Sequence, residues 1–173
     1  MVVGKPFLTV EQIQNKNREL AERISDDYEG KNLLAVGLLK GAFIFFSDIV
    51  RLIRIPLNID FLIASSYLKC NTSGEIKIYY DIREEITDKD VLLIEDIVDT
   101  GITLNYIRER ILQKEPKSLR ICTFLDKKSR RQVNVPIDYV GFEIPNEFVV
   151  GYGLDYDNKF RNLPYISIFK KTT

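Results

Sequence analysis

Histidine is absent from the 173 residues. Any general base in this chain must therefore be a carboxylate, a lysine, a tyrosine or a cysteine. Cysteine is scarce as well: Cys70 and Cys122 are the two, and they form no CxxC pair. That excludes a disulfide framework or a cysteine zinc site and predicts reduced thiols in a cytoplasmic protein. An excess of one charge is also missing, with 25 Lys plus Arg against 25 Asp plus Glu. No global field draws the chain to nucleic acid or to an anionic membrane, so a polyanionic ligand must be held locally. Long apolar runs are lacking too. The most apolar segment, "NLLAVGLLKGAFIFFSDIVRLI", is broken by Lys40 and Asp48 and makes a poor membrane span. The opening "MVVGKPFLTVEQ" has no apolar core of the signal-peptide kind. With no secretion signal, the Asn71-Thr72-Ser73 sequon reads as a chance match. No repeat, low-complexity tract or linker divides the chain, which predicts one domain over residues 1–173. A chain of this size buries about 70% of its unfolded surface and needs no metal or disulfide to stay folded.

What is present alternates between two periods. Thr9 and Gln12 form a capping-box pattern ahead of Val10, Ile13, Leu20 and Ile24, predicting a helix from Thr9 to about Asp27. Leu33 to Leu38 is apolar without alternation, as in a strand buried on both faces. Helical spacing resumes over Phe43 to Ile53, and Pro56 to Ala64 reads as a second strand. Ser65 to Gly74 is polar and ends in glycine, which predicts a mobile loop, followed by a strand over Ile76 to Tyr80. Val91 to Ile94 is a further buried strand and Thr103 to Gln113 a helix. Leu119 to Leu125, Tyr139 to Ile144 and Tyr165 to Phe169 complete the strands. Strands alternating with helices predict an α/β fold with a largely parallel central sheet. Such sheets bind ligands beyond the carboxyl ends of their strands, which places Leu39 to Gly41, Glu95 to Thr103 and Asp126 to Arg131 on one rim.

The stretch "VLLIEDIVDTGIT" carries the most chemistry. Four apolar residues run into Glu95 and Asp96, and Asp99-Thr100-Gly101-Ile102-Thr103 stands at a helix start. Acids after a strand are ordinarily solvated or cap a helix. This pattern is denser. Gly101 permits a tight turn, and amides 99 to 103 with the Thr100 and Thr103 hydroxyls could surround a phosphate. It is not the GxxxxGK[ST] loop, having one glycine and no lysine. Acids facing the phosphate would repel it, so they must serve hydroxyls, a metal ion or a protonated substrate nitrogen. A phosphorylated sugar satisfies all of these demands. The Asp-Thr-Gly triplet also marks aspartic proteases, but that chemistry needs a second copy or a dimer of all-β chains.

Those residues resemble the phosphoribosyl-pyrophosphate signature of the purine phosphoribosyltransferases of the hypoxanthine-guanine type. The resemblance continues through "GLLKGAFIFFSDI", similar to the family's pyrophosphate loop, and "SSYLKCNTSGEIKI", similar to its mobile loop. "FLDKKSRR" resembles the purine-reading segment and "GFEIPNEFVVGYGLDYDNKFRNLPYI" the C-terminal hood. Together they span about Leu33 to Ile166 in the family's order. The resemblance implies a type I phosphoribosyltransferase fold with hood elements near residues 1–10 and 137–173. It also implies Mg2+-dependent transfer of 5-phosphoribosyl from its pyrophosphate to N9 of hypoxanthine or guanine, with xanthine a further acceptor. IMP or GMP would be the product.

It assigns roles residue by residue. Glu95 and Asp96 would hold the ribose hydroxyls and metal, and Asp99 would accept the proton at purine N7. Asp99, Thr100, Gly101, Ile102 and Thr103 would cradle the 5′-phosphate. Lys40 and Gly41 would bind pyrophosphate, across a cis Leu39-Lys40 bond, and Arg161 would clamp it in bidentate fashion. Lys127 would donate to purine O6, with Lys128 the adjacent candidate, although a charge run is ordinarily a solvated face. Phe148 would stack on the purine, Val149 would read it through its backbone, and Asp155 would hold a second Mg2+. Ser66 and Tyr67 would close over the site within the mobile loop. The resemblance favours a cytoplasmic homodimer or homotetramer. Two other classes fit less well: a nucleic-acid-binding regulator is opposed by the balanced charge, and a uracil transferase by the hood.

Overall fold

The computed structural model describes residues 2–67 and 75–170. Cys70, the Asn71 sequon and most of the polar loop lie outside the described residues. The helix foreseen from the capping box is α1 (Val10–Asp27). Thr9 Oγ1 accepts from the Gln12 amide at 3.2 Å, while Gln12 Oε1 accepts from the Thr9 amide at 2.8 Å. That reciprocal pair satisfies two donors that a helix start otherwise leaves open.

Before α1 runs β1 (Val2–Leu8); after it come β2 (Leu33–Leu39), α2 (Phe43–Leu52), β3 (Leu57–Tyr67) and β4 (Glu75–Tyr80). Then follow β5 (Asp90–Val98), α3 (Ile102–Leu112), β6 (Ser118–Asp126), β7 (Tyr139–Glu143), β8 (Val149–Val150) and β9 (Ile166–Lys170). Six strands form the main sheet in the order β4-β3-β2-β5-β6-β7, parallel except for the β3–β4 pair. A second, antiparallel sheet has the order β1-β9-β8. β7 pairs with β6, and the C-terminal part of the chain enters the second sheet at Val149.

Alternation along β2 sorts two cores. Leu33 and Ala35 face α1 and α2, where Ile13, Leu20, Ile24, Phe45 and Ile49 pack with Leu92, Ile94 and Phe124. Leu34, Val36 and Leu38 face α3, meeting Leu104, Ile107 and Ile111. A strand apolar at every position can serve both layers because successive side chains point to opposite faces. Each fully buried Leu or Ile contributes about 1.5–3 kcal/mol of transfer free energy. Val149 and Ile166 of the small sheet, with Tyr152 and Leu154 of the segment between β8 and β9, join the first core, which fixes that sheet over the ends of the parallel strands.

Candidate active site

Parallel strands deliver their carboxyl ends to one rim, and the site residues gather there. β2 ends at Leu39, and the Leu39-Lys40 peptide is cis. A methyl group built on Gly41 would overlap Asp96 Oδ2, so the turn after β2 lies directly against the end of β5. Glu95 and Asp96 were expected in a turn after Ile94; instead β5 continues to Val98. Its ladder with β6 runs on through Glu95↔Thr123, Ile97↔Leu125 and Val98↔Asp126. Ladder pairing outweighs the break that the acids make in the apolar run.

The true turn is Asp99–Gly101. Gly101 has φ 83° and caps α3, a left-handed conformation that side chains with a Cβ rarely adopt. Its neighbour Thr100 offers a carbonyl that accepts from both the Gln132 and Val133 amides, at 2.9 and 3.1 Å. The segment after β6 is thereby tied to the turn. The Ile102 amide, foreseen as an anion donor, reaches Thr100 Oγ1 at 3.4 Å, and the Ile102 side chain is exposed.

Two cavities open along this rim. The larger, about 370 Å3, is lined by Lys40, Gly41, Ser65, Glu95, Asp96, Asp99, Thr100, Gly101 and Thr103. The smaller, about 220 Å3, is lined by Asp96, Ile97, Asp99, Lys127, Phe148, Val149, Leu154 and Asp155. Asp96, Ile97 and Asp99 belong to both, so they form a shared wall. Phe148 presents an exposed ring at the mouth of the smaller lobe, braced edge-on by Tyr156 and Phe169.

Lys127 is not the solvated member of a charge run: it is 6% exposed. Burial pulls its ammonium below the ordinary lysine range, Asp99 opposes that shift, and Arg130 adds to it. Its Nζ lies 4.0 Å from Asp99 Oδ2. Arg130 Nε stands 2.8 Å from Asp99 Oδ1, an ion pair without hydrogen-bond alignment. The 3-10 turn Lys128–Arg130 is what swings Arg130 back toward the β5 end. Glu95 carries the other perturbed charge. Desolvation, then hydrogen bonding to and repulsion from Asp96, push its carboxyl well above the ordinary carboxylate range. The Asp96 and Ile97 amides donate to Glu95 Oε1 and Asp96 Oδ1 at 3.0 and 2.8 Å.

Ser66 and Tyr67 belong to β3, paired with Ile76 and Glu75, and not to a loop. Arg161 lines neither cavity: its Nη1 donates to the Gly153 carbonyl at 2.7 Å and its Nη2 meets Asp155 Oδ1 at 2.7 Å. Asp155 is thereby committed to Arg161, and among the described residues no group of three carboxylates converges on a metal position. Glu95 and Asp96 alone still suit a hard divalent cation. Mg2+ commonly takes one or two carboxylates and completes its shell with water and substrate phosphate. A cation there would also offset the repulsion that raises Glu95.

A largely parallel α/β sheet whose rim carries an acid pair and a one-glycine turn at a helix start, beside a second lobe under a small antiparallel sheet, defines a class. The chain belongs to the phosphoribosyltransferase family: the model of the phosphoribosyl transferase domain matches residues 9–157. Within that family it is similar to purine-specific members. The hypoxanthine phosphoribosyltransferase of Escherichia coli K12 is 49% identical over 156 residues, covering 90% of this chain and 86% of the relative. The hypoxanthine-guanine phosphoribosyltransferase of Mycobacterium bovis is 45% identical, covering 92% and 83%. The crystal structure of a hypoxanthine phosphoribosyltransferase from Staphylococcus aureus superposes with a TM-score of 0.93 at 47% identity, covering 97% of this chain and 92% of that one.

Proposed function

We propose that this enzyme works in purine salvage, transferring 5-phosphoribosyl from phosphoribosyl pyrophosphate to N9 of hypoxanthine or guanine. Pyrophosphate leaves, and IMP or GMP forms. The observation that carries the reading is the shared wall. One lobe is lined by the anion turn and the acid pair, the other by Lys127, Phe148 and Val149, and they meet at Asp96 and Asp99. A ribose carbon held at that wall faces its leaving group on one side and the purine nitrogen on the other, which supplies the proximity transfer needs.

The chain's own groups divide the work. Asp99, Thr100, Gly101, Ile102 and Thr103 frame the 5′-phosphate, and Lys40 with Gly41 the pyrophosphate. Glu95 and Asp96 take the ribose hydroxyls, and their negative field suits the electron-poor ring that develops as the bond to pyrophosphate lengthens. Lys127 donates to purine O6, and Asp99 accepts the proton lost from the purine as N9 bonds carbon. Phe148 stacks on the ring and the Val149 backbone reads its edge. Arg161 reaches the pyrophosphate by exchanging Asp155 for it, which would release Asp155 toward a second Mg2+. Glu95 and Asp96 would hold Mg2+, which would offset the negative charge of the leaving pyrophosphate. Ser66 and Tyr67 follow Ser65 of the larger lobe at the end of β3.

A cytoplasmic location and a homodimeric or homotetrameric assembly belong to the same reading by family analogy. The test is direct: protein, Mg2+, phosphoribosyl pyrophosphate and hypoxanthine or guanine should release pyrophosphate and form nucleotide. Silence with hypoxanthine, guanine and xanthine alike would overturn the proposal.

A further inference from the structure

Behind the hood lies a hydrogen-bond chain that no role above uses. Gly151, Tyr152 and Gly153 have φ of 103°, 48° and 102° in succession. A non-glycine residue in that region is uncommon and persists where its surroundings hold it. Tyr152 is held by its side chain. The ring lies 4.8 Å from that of Phe124, and the hydroxyl is buried between two helices. There it donates to Asp48 Oδ2 of α2 at 2.7 Å and accepts from Asn17 Nδ2 of α1 at 2.7 Å. The directions are fixed, because a carboxylate can only accept. Asn17 is 1% exposed, a polar residue on the face of α1 that otherwise buries Ile13, Leu20 and Ile24.

The backbone on the other side of Tyr152 enters the site. A Cβ on Gly153 would collide with the Gly41 carbonyl, so the hood rests on the turn that follows β2. The Gly153 amide donates to the Arg161 carbonyl at 3.0 Å and its carbonyl accepts from Arg161 Nη1. Asp48 stands on α2, the helix that begins two residues after Gly41. Both ends of the Gly41–Gly153 contact are therefore referenced to one hydroxyl.

We propose that Asn17, Tyr152 and Asp48 are positioning residues that set the Gly41 turn and Arg161 for the pyrophosphate group. They leave the purine side, where Phe148 and Val149 are held by β9, untouched. The inference rests on the proposed transferase reaction. Tyr152→Phe keeps the ring and removes both hydrogen bonds. It should raise KM for phosphoribosyl pyrophosphate about tenfold while KM for hypoxanthine stays within about twofold. Asp48→Ala should act alike, and the Tyr152→Phe/Asp48→Ala double variant should be no worse than either single one, since one chain is cut twice. Asp48→Asn keeps an acceptor and should restore wild-type constants. A fall in melting temperature with both KM values unchanged, an equal rise in both, or additive single effects would overturn the inference. Wild-type enzyme runs beside the variants: an inactive wild type would refute the reaction and this inference with it, whereas an active wild type with indifferent variants refutes the inference alone.

Discussion

Replacing Asp99 by Asn separates a chemical role from a structural one, because the geometry sets two very different magnitudes. The substitution preserves shape and removes one negative charge. Structurally it weakens the approaches of Arg130 at 2.8 Å and Lys127 at 4.0 Å. Asp99's side chain is 40% exposed and Arg130's 45%, so water screens that pair. A unit pair at 4 Å in water is worth about 1 kcal/mol, and measured exposed pairs fall at or below that. The melting temperature should therefore drop by no more than about 2–4 °C for a chain of this size. Chemically, removal of a general base costs about 100- to 10,000-fold, or about 2.7–5.4 kcal/mol of transition-state stabilisation. The assay is steady-state pyrophosphate release with saturating hypoxanthine, beside a thermal melt and a phosphoribosyl-pyrophosphate titration. The expected result is a kcat lower by at least about 100-fold, retained binding of phosphoribosyl pyrophosphate and a near-native melt. A kcat within about threefold of wild type would remove Asp99 from the proton-accepting role. A collapsed melt would show that its charge is structural.

Three further outcomes follow from the packing and the charges. Gly41→Ala should fold with little loss, since the group it meets is the movable end of Asp96, yet lower kcat/KM by more than about tenfold by pushing that carboxylate aside; unchanged kinetics would place Asp96 outside the chemistry. Ile107→Ala, on the buried face of α3, should cost about 2–5 kcal/mol in denaturant unfolding; a loss below about 1 kcal/mol would mean the cavity collapses freely. Asp27 is held below the ordinary carboxylate range by the Tyr139 hydroxyl first and the Arg120 guanidinium after it. Its folded-state pKa is depressed, so its contribution is present above about pH 3.9 and lost as pH falls through the folded value. Thermal melts of Asp27→Asn should therefore show a deficit at pH 7 that closes below pH 4; a deficit constant in pH would refute the linkage.

The main sheet was legible because β2 buries both faces and reads as an unbroken apolar run, while β5 carries the apolar stretch Val91 to Ile94 and β6 is mostly apolar from Ile121 to Leu125. The second sheet was not legible as strands throughout. β1 carries Gly4 and Pro6 and pairs through irregular register, and β8 is two residues long, so neither has a periodic signal. Asp99 and the Gly101 turn were readable from residue type and order, whereas Lys127 came only through the family resemblance, because a charge run by itself reads as a solvated face. Arg130 was not, because inside "DKKSRR" nothing but the 3-10 turn distinguishes which cation folds back onto Asp99. Asn17 did leave a trace: a lone amide spaced between Ile13 and Leu20 on an apolar face signals a buried polar partner. Finding that partner required the fold, since Tyr152 lies 135 residues away.

The wall between the two lobes also acts as a ruler. Asp96 and Asp99 bound both cavities and lie three residues apart where β5 runs into the anion turn. At about 3.3 Å per extended residue, the partition is about 10 Å long. Two weak fragments, one anionic and one a flat heterocycle, are therefore joined by a tether of about 10 Å. Each would then raise the local concentration of the other by the arithmetic of multivalency. An inhibitor built to that length would need little affinity in either half.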